Sequence, residues 1–163
     1  MKLTLAYTWQ CPPDEFWKLY FDQDYVIRLH LEALGSLSAE VVSQEGDLTS
    51  GLTRTLRYSQ KPNMPGPVRK IFGEEITSTE VSTFNPSTQM TTFELTPGTM
   101  ADKTHIEGAI ALTQEDGIST ETFMLEAKVK IFGVGPVVER FIEAQARDIQ
   151  EKSVAFMRNT LPS

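Results

Sequence analysis

The stretch VGPVVERFIEAQARDIQEKSVAFMRNTL, Val134–Leu161, decides the fold. Gly133-Val134-Gly135-Pro136 breaks the extended segment before it, and apolar residues then recur at Val137, Val138, Phe141, Ile142, Ile149, Val154, Phe156 and Met157. That is the spacing of one helical face. Glu, Gln, Ala, Arg and Lys fill most gaps, Glu143 and Asp148 each stand four residues before a cation (Arg147, Lys152), and Pro162 is expected to stop the run. A long amphipathic helix that arrives last needs a surface to cover its apolar stripe.

Upstream, that surface reads as a sheet. Ile118 to Ile131 is the longest extended segment, with Phe123, Leu125, Ala127, Val129 and Ile131 alternating against Thr122, Met124, Glu126, Lys128 and Lys130. One face is apolar and the other wet. Before it, Thr-, Ser- and Val-rich segments at Leu37 to Gln44, Leu52 to Ser59, Ile76 to Phe84, Met90 to Thr96 and Thr104 to Thr113 read as an antiparallel meander. Turns are expected at Glu45-Gly46-Asp47, Asn85-Pro86 and Glu115-Asp116-Gly117. At the start, Leu3, Leu5, Tyr7 and Trp9 alternate with polar or small residues as in a half-buried strand. Two short helices follow, one opened by Pro12-Pro13-Asp14-Glu15, the other after Asp22 and stopped at Gly35. The one irregular insertion is Lys61 to Gly73, where three prolines and Gly66 exclude a continuous strand and Val68, Ile71 and Phe72 form one apolar helical turn.

With 163 residues and no linker-like composition, residues 1–163 are expected to form one domain. A net charge of -7 disfavours nucleic acid and attraction to an anionic membrane. Cys11 is the only cysteine, so no internal disulfide forms and a cytoplasmic setting is favoured. No segment approaches the roughly 18 apolar residues of a membrane span, and no signal peptide is read at Met1 to Tyr7. No integral membrane association is expected.

Strand, two short helices, six strands and a long last helix is the element order of the helix-grip fold. The chain resembles the START-like (SRPBCC) superfamily from Leu3 to Leu161. The segments Met64-Pro65-Gly66-Pro67-Val68-Arg69-Lys70-Ile71-Phe72-Gly73 and Gly135-Pro136-Val137-Val138-Glu139-Arg140-Phe141-Ile142 look like an uncharacterised bacterial branch of it. The resemblance implies an α+β class with a curved seven-stranded antiparallel sheet gripping the C-terminal helix and a cavity for an apolar or lipid-like small molecule between them. Periodicity alone leaves open whether that space is hollow, since the same residues would serve a solid core.

Strand parity turns Arg54, Leu56, Tyr58, Phe93, Leu95, Ile106, Ile110, Phe123 and Leu125 toward the helix, whose Phe141, Ile142 and Gln145 face them. These are the candidate ligand-binding residues, with Gln145 expected as the one polar group on the helix wall. Arg54 is the sharpest of them: a guanidinium on the apolar side needs an anion, either from a ligand or from an internal Glu, unless it reaches the rim or a bulge turns it outward. Met64, Val68, Ile71 and Phe72 are candidate lid contacts, with an ordinary packed connection as the alternative.

Catalytic motifs are scarce. His30 and His105, the latter beside Glu107, read as structural or solvent-facing; they supply too few ligands for a metal site. Cys11 has no basic neighbour in sequence to activate it. Phosphate loops, serine elbows and zinc spacings are absent, so no cofactor and no catalytic residue is assigned. The expected function is binding, for transport, storage or sensing; the alternatives are a cyclase or hydrolase using the same cavity, and a protein-interaction module. Oligomeric state is not legible in the sequence.

Overall fold

The structure of the chain is a computed structural model that describes residues 1–161. Its elements are β1 (Lys2–Trp9), α1 (Pro13–Tyr20), α2 (Gln23–Arg28) continuing into a π-helical turn at Leu29–Ala33, β2 (Ser38–Asp47), β3 (Gly51–Gln60), α3 (Gly66–Phe72), β4 (Ile76–Asn85), β5 (Met90–Pro97), β6 (Thr104–Glu115), β7 (Ile118–Val129) and α4 (Gly135–Thr160). The seven strands form one antiparallel sheet in the order β1-β7-β6-β5-β4-β3-β2. This is the helix-grip arrangement: an open, curved sheet with α4 against one face.

Local chemistry explains most boundaries. Pro13 opens α1 where a missing N–H costs nothing, and the Asp22 carboxylate caps α2 by accepting from the Tyr25 N–H at 2.8 Å. Asp116 and Gly117 both take positive φ (53° and 78°), the pattern of a two-residue hairpin between β6 and β7. On α4, Arg147 pairs with Glu143 at 3.2 Å and Lys152 with Asp148 at 2.8 Å, as their four-residue spacing requires. The helix ends at Thr160; Pro162, expected as its stop, lies outside the described residues.

Two expected boundaries move. The β2–β3 turn falls at Leu48-Thr49-Ser50, because β2 continues to Asp47 and the Asp47 carboxylate accepts from the Thr49 N–H, the Ser50 N–H and the Ser50 hydroxyl. A bulge between Val41 and Ser43 absorbs the difference in register. β7 ends at Val129, two residues before the expected Ile131, as the chain turns into α4. There the Gly135 backbone lies so close to the Val129 carbonyl that a Cβ would stand 2.6 Å from its oxygen.

The main core lies between sheet and helices. An aromatic cluster of Trp9, Phe16, Trp17, Phe21 and Phe84 fills it where α1 crosses the sheet. A second cluster joins Met64, Val68 and Phe72 to Val129 and Val138. Val68 and Val138 are 0% and 1% exposed, and burying each stabilises by roughly 2 kcal/mol. Seven residues are too few for α3 to persist alone, so this contact holds it.

Candidate functional site

A cavity of about 250 Å³ separates the sheet from α4, closed at the sides by α1, α2 and the π-helical turn. Since an apolar cavity of roughly 150 Å³ holds a benzene-sized molecule, this one admits a bicyclic body. Its wall is assembled by strand parity: Arg54, Leu56 and Tyr58 from β3, Phe93 and Leu95 from β5, Ile106 and Ile110 from β6, and Phe123 and Leu125 from β7. Phe141, Ile142 and Gln145 of α4 face them. All twelve candidate ligand-binding residues therefore border one space.

The lid candidates divide. Phe72 reaches the cavity, whereas Met64 and Val68 are buried in the second cluster and Ile71 packs beside them. α3 thus stands at one end of the cavity, with Phe72 toward it and the other three in the second cluster. On α4, Gln145 is not the single polar group: Gln150 and Ser153 also line the space, at helical spacing from Ile142, Ala146 and Ile149 on the same wall.

Arg54 is 2% exposed and satisfied in part by backbone and rings. Its Nη1 donates to the Tyr20 carbonyl at 2.8 Å, and its guanidinium lies 5.1 Å and 5.0 Å from the Tyr20 and Phe21 ring centroids. Its Nε–H has no partner, and no carboxylate among the described residues forms an ion pair with it. Tyr20, Tyr58 and Glu80 border the same part of the cavity. Burial, and secondarily the Glu80 charge, raise the pKa of both phenols, so both stay protonated.

Several polar residues of the cavity were not among the candidates, Glu121, His30, Tyr25 and Gln150 among them. His30 is not solvent-facing: it is 7% exposed, its Nδ1 lies 3.0 Å from the Ser36 hydroxyl and its ring 4.4 Å from that of Tyr58. Burial, reinforced by the Arg54 charge, lowers its pKa from 6.5 to about 4, so it is neutral at physiological pH. Glu121 is 3% exposed and accepts from the Trp9 indole N–H at 2.7 Å. Desolvation raises its pKa from 4.5 to about 7, against the opposing pull of the Trp9 hydrogen bond and the Arg158 charge. The signal for Glu121 was its parity, which it shares with Phe123. For His30 there was none, since a π-helical turn rotates residues off the helical period.

His105 pairs with Glu107 on the outer face at 3.2 Å, away from the cavity. Cys11 is buried, and desolvation, with Glu15 and Asp14 nearby, raises its thiol pKa and keeps it unreactive.

The family model described as "Protein of unknown function (DUF2505)" matches residues 4–161. The chain belongs to this family. No curated protein matches it. Among solved structures, the chain is similar to TTHA0849 from Thermus thermophilus, with TM-score 0.69 at 14% identity, covering 98% of this chain and 95% of that one. The Zhui aromatase/cyclase from Streptomyces sp. R1128 gives 0.68 at 12% identity over 99% and 96%. A START superfamily protein from Mycobacterium smegmatis gives 0.65 at 10% identity over 98% and 99%. The DUF2505 chain thus shares the helix-grip fold of START-like structures, and none of its described helices is long and apolar enough to cross a membrane.

Proposed function

We propose that residues 1–163 form one binding domain that holds a lipid-like or other apolar small molecule between sheet and α4, for transport, storage or sensing. The observation that carries this reading is the cavity itself, about 250 Å³ bordered by aliphatic and aromatic side chains from both layers. Fold likeness to a START superfamily protein and to Ara h 8.0201 (TM-score 0.55) supports it. The sole, unpaired cysteine supports a cytoplasmic setting. Native mass spectrometry of the protein from its own host, with displacement of a fluorescent fatty acid, tests it; a chain that carries nothing and displaces nothing sinks the idea.

A second reading, an enzyme working in the same cavity, is favoured by one observation: a buried carboxyl whose pKa of about 7 suits proton transfer at neutral pH. It calls for Glu121-dependent exchange of solvent deuterium into a bound bicyclic ketone, followed by NMR. Exchange that survives in Glu121→Gln would remove this reading.

A further inference from the structure

Two buried polar groups that border the cavity, on α2 and α4, lack hydrogen-bond partners, and a carboxyl on β7 keeps one oxygen free to accept. Tyr25 is 4% exposed and its hydroxyl has no hydrogen-bond partner. Gln150 is 8% exposed and its side-chain N–H₂ has none. Glu121 engages Trp9 through Oε2, while Oε1 receives no hydrogen bond among the described residues. Leaving such groups unpaired in an apolar interior is costly.

The three come from separate elements that converge. α4 starts where Gly135 meets the Val129 carbonyl and runs back over β7. The later turns of α4 lie near Glu121: Tyr7, which pairs with Glu121 across β1 and β7, feels the charges of Glu121 and of Arg147, Glu151 and Arg158 on α4, and Gln150 and Ser153 of the same turns line the cavity with Glu121. Tyr25 packs its ring on Phe156 of the following turns, at 5.6 Å between centroids, and the Glu121 charge reaches its phenol. All three residues border the cavity.

We propose that Glu121, Tyr25 and Gln150 form a recognition site for a hydroxyl group, so that the ligand is a neutral apolar molecule bearing an alcohol or a phenol. The proposal rests on the reading that the cavity holds an apolar ligand, and adds the chemistry of its polar end. A hydroxyl oxygen accepts from the Tyr25 O–H and the Gln150 N–H while its proton goes to Glu121 Oε1, so each unpaired group gains a partner. A ligand carboxylate at this position would face the Glu121 carboxyl. An ammonium would leave both donors unpaired.

Calorimetric titration of the full chain at pH 8 with 2-naphthol, 2-methylnaphthalene and 2-naphthoate tests this. The expected order is 2-naphthol about tenfold tighter than 2-methylnaphthalene, with 2-naphthoate weakest. In Tyr25→Phe, and separately in Gln150→Met, the preference for 2-naphthol over 2-methylnaphthalene falls below about threefold, with urea unfolding reporting that each variant stays folded; a preference that stays near tenfold in both overturns the hydroxyl site. Equal binding of 2-naphthol and 2-methylnaphthalene by the unaltered chain overturns the hydroxyl site and leaves the apolar cavity standing. Tightest binding of 2-naphthoate overturns it in favour of Arg54 as the polar anchor. If none of the three binds, the cavity reading fails and the hydroxyl site with it.

Discussion

The Trp9 indole Nε1–H donates to Glu121 Oε2 at 2.7 Å between two side chains that are each 3% exposed. Trp9 stands opposite Ser119 in the β1–β7 register, so Glu121 is its diagonal neighbour on the cavity face. Arg158 lies over the same indole at 5.3 Å and donates to the Thr8 carbonyl at 3.2 Å. A buried carboxylate is thereby given one strong donor and one nearby cation, enough to hold its pKa near 7 rather than higher.

Replacing that donor separates its two roles. Trp9→Phe keeps an aromatic body against Phe16 but removes the hydrogen bond to the carboxylate, and the pKa of Glu121 is expected to rise above about 7. Urea unfolding should show the variant losing about 1–2 kcal/mol more at pH 8 than at pH 5, since only the ionised carboxyl depends strongly on the bond. Equal losses at the two pH values would mean that the indole acts only by filling space.

Glu121 and His30 oppose each other in acid. The raised Glu121 pKa means that the folded chain holds a proton which the unfolded chain releases between about pH 4.5 and 7, so its contribution to stability is present below 4.5 and lost by about 7. The lowered His30 pKa does the reverse: its contribution is present above 6.5 and lost as pH falls to about 4. Each amounts to about 3 kcal/mol across its window, and the windows overlap with opposite slopes. The unaltered chain should therefore show little net pH dependence from this pair between pH 4.5 and 6.5. Glu121→Gln should gain stability over it at pH 7.5 but not at 4.5, and His30→Gln should gain at pH 4.5 but not at 7.5. Offsets that stay constant with pH in both variants would show that neither group is shifted.

Much of this arrangement was legible because period and parity are simple functions of sequence. Leu56 and Tyr58, Phe93 and Leu95, and Phe123 and Leu125 reach one space through the two-residue alternation of strands, and Phe141, Ile142 and Gln145 through the helical period. What period could not carry was contact between distant elements. Val68 and Met64 read as lid or as packing, and no period in the sequence pairs them with Val138, which shares their cluster. Arg54 read as a cation in search of an anion; the carbonyl of Tyr20 and the faces of two rings are backbone and packing partners that no spacing rule supplies. The turn after β2 moved by three residues for a different reason: the local hydrogen bonds to the Asp47 carboxylate compete with a glycine signal.

Arg54 also sets the electrostatics of its neighbour. Burial is the larger cause of the lowered His30 pKa and the Arg54 charge the smaller, so Arg54→Met should raise the His30 midpoint above about 4 while burial still holds it below 6.5. Methionine fills much of the same volume, and exchanging a buried, incompletely paired cation for it should cost under about 2 kcal/mol. The imidazole resonances of a pH titration by NMR report the midpoint directly. A midpoint that stays at about 4 would assign the whole effect to burial.

The last prediction concerns how the sheet makes room for the cavity wall. Gly108 of β6 stands opposite Phe93 on one side and Leu125 on the other, and the Phe93 ring, stacked on Phe123 at 5.9 Å, lies over it. A Cβ at Gly108 would fall 2.4 Å from Phe93 Cζ and 2.3 Å from the Met124 carbonyl oxygen. The ring can rotate away, but the carbonyl belongs to the β6–β7 ladder and cannot move without lengthening its hydrogen bonds. Gly108→Ala should therefore destabilise by about 2 kcal/mol or more in urea unfolding, well beyond what the small difference in strand preference would give. Phe93→Ala in the same chain removes the ring clash and leaves the carbonyl clash. If the double variant recovers the stability that Gly108→Ala alone loses relative to Phe93→Ala, the ring is the obstacle. If it does not, the glycine is required by the backbone, and the curvature of the sheet at β6 depends on it.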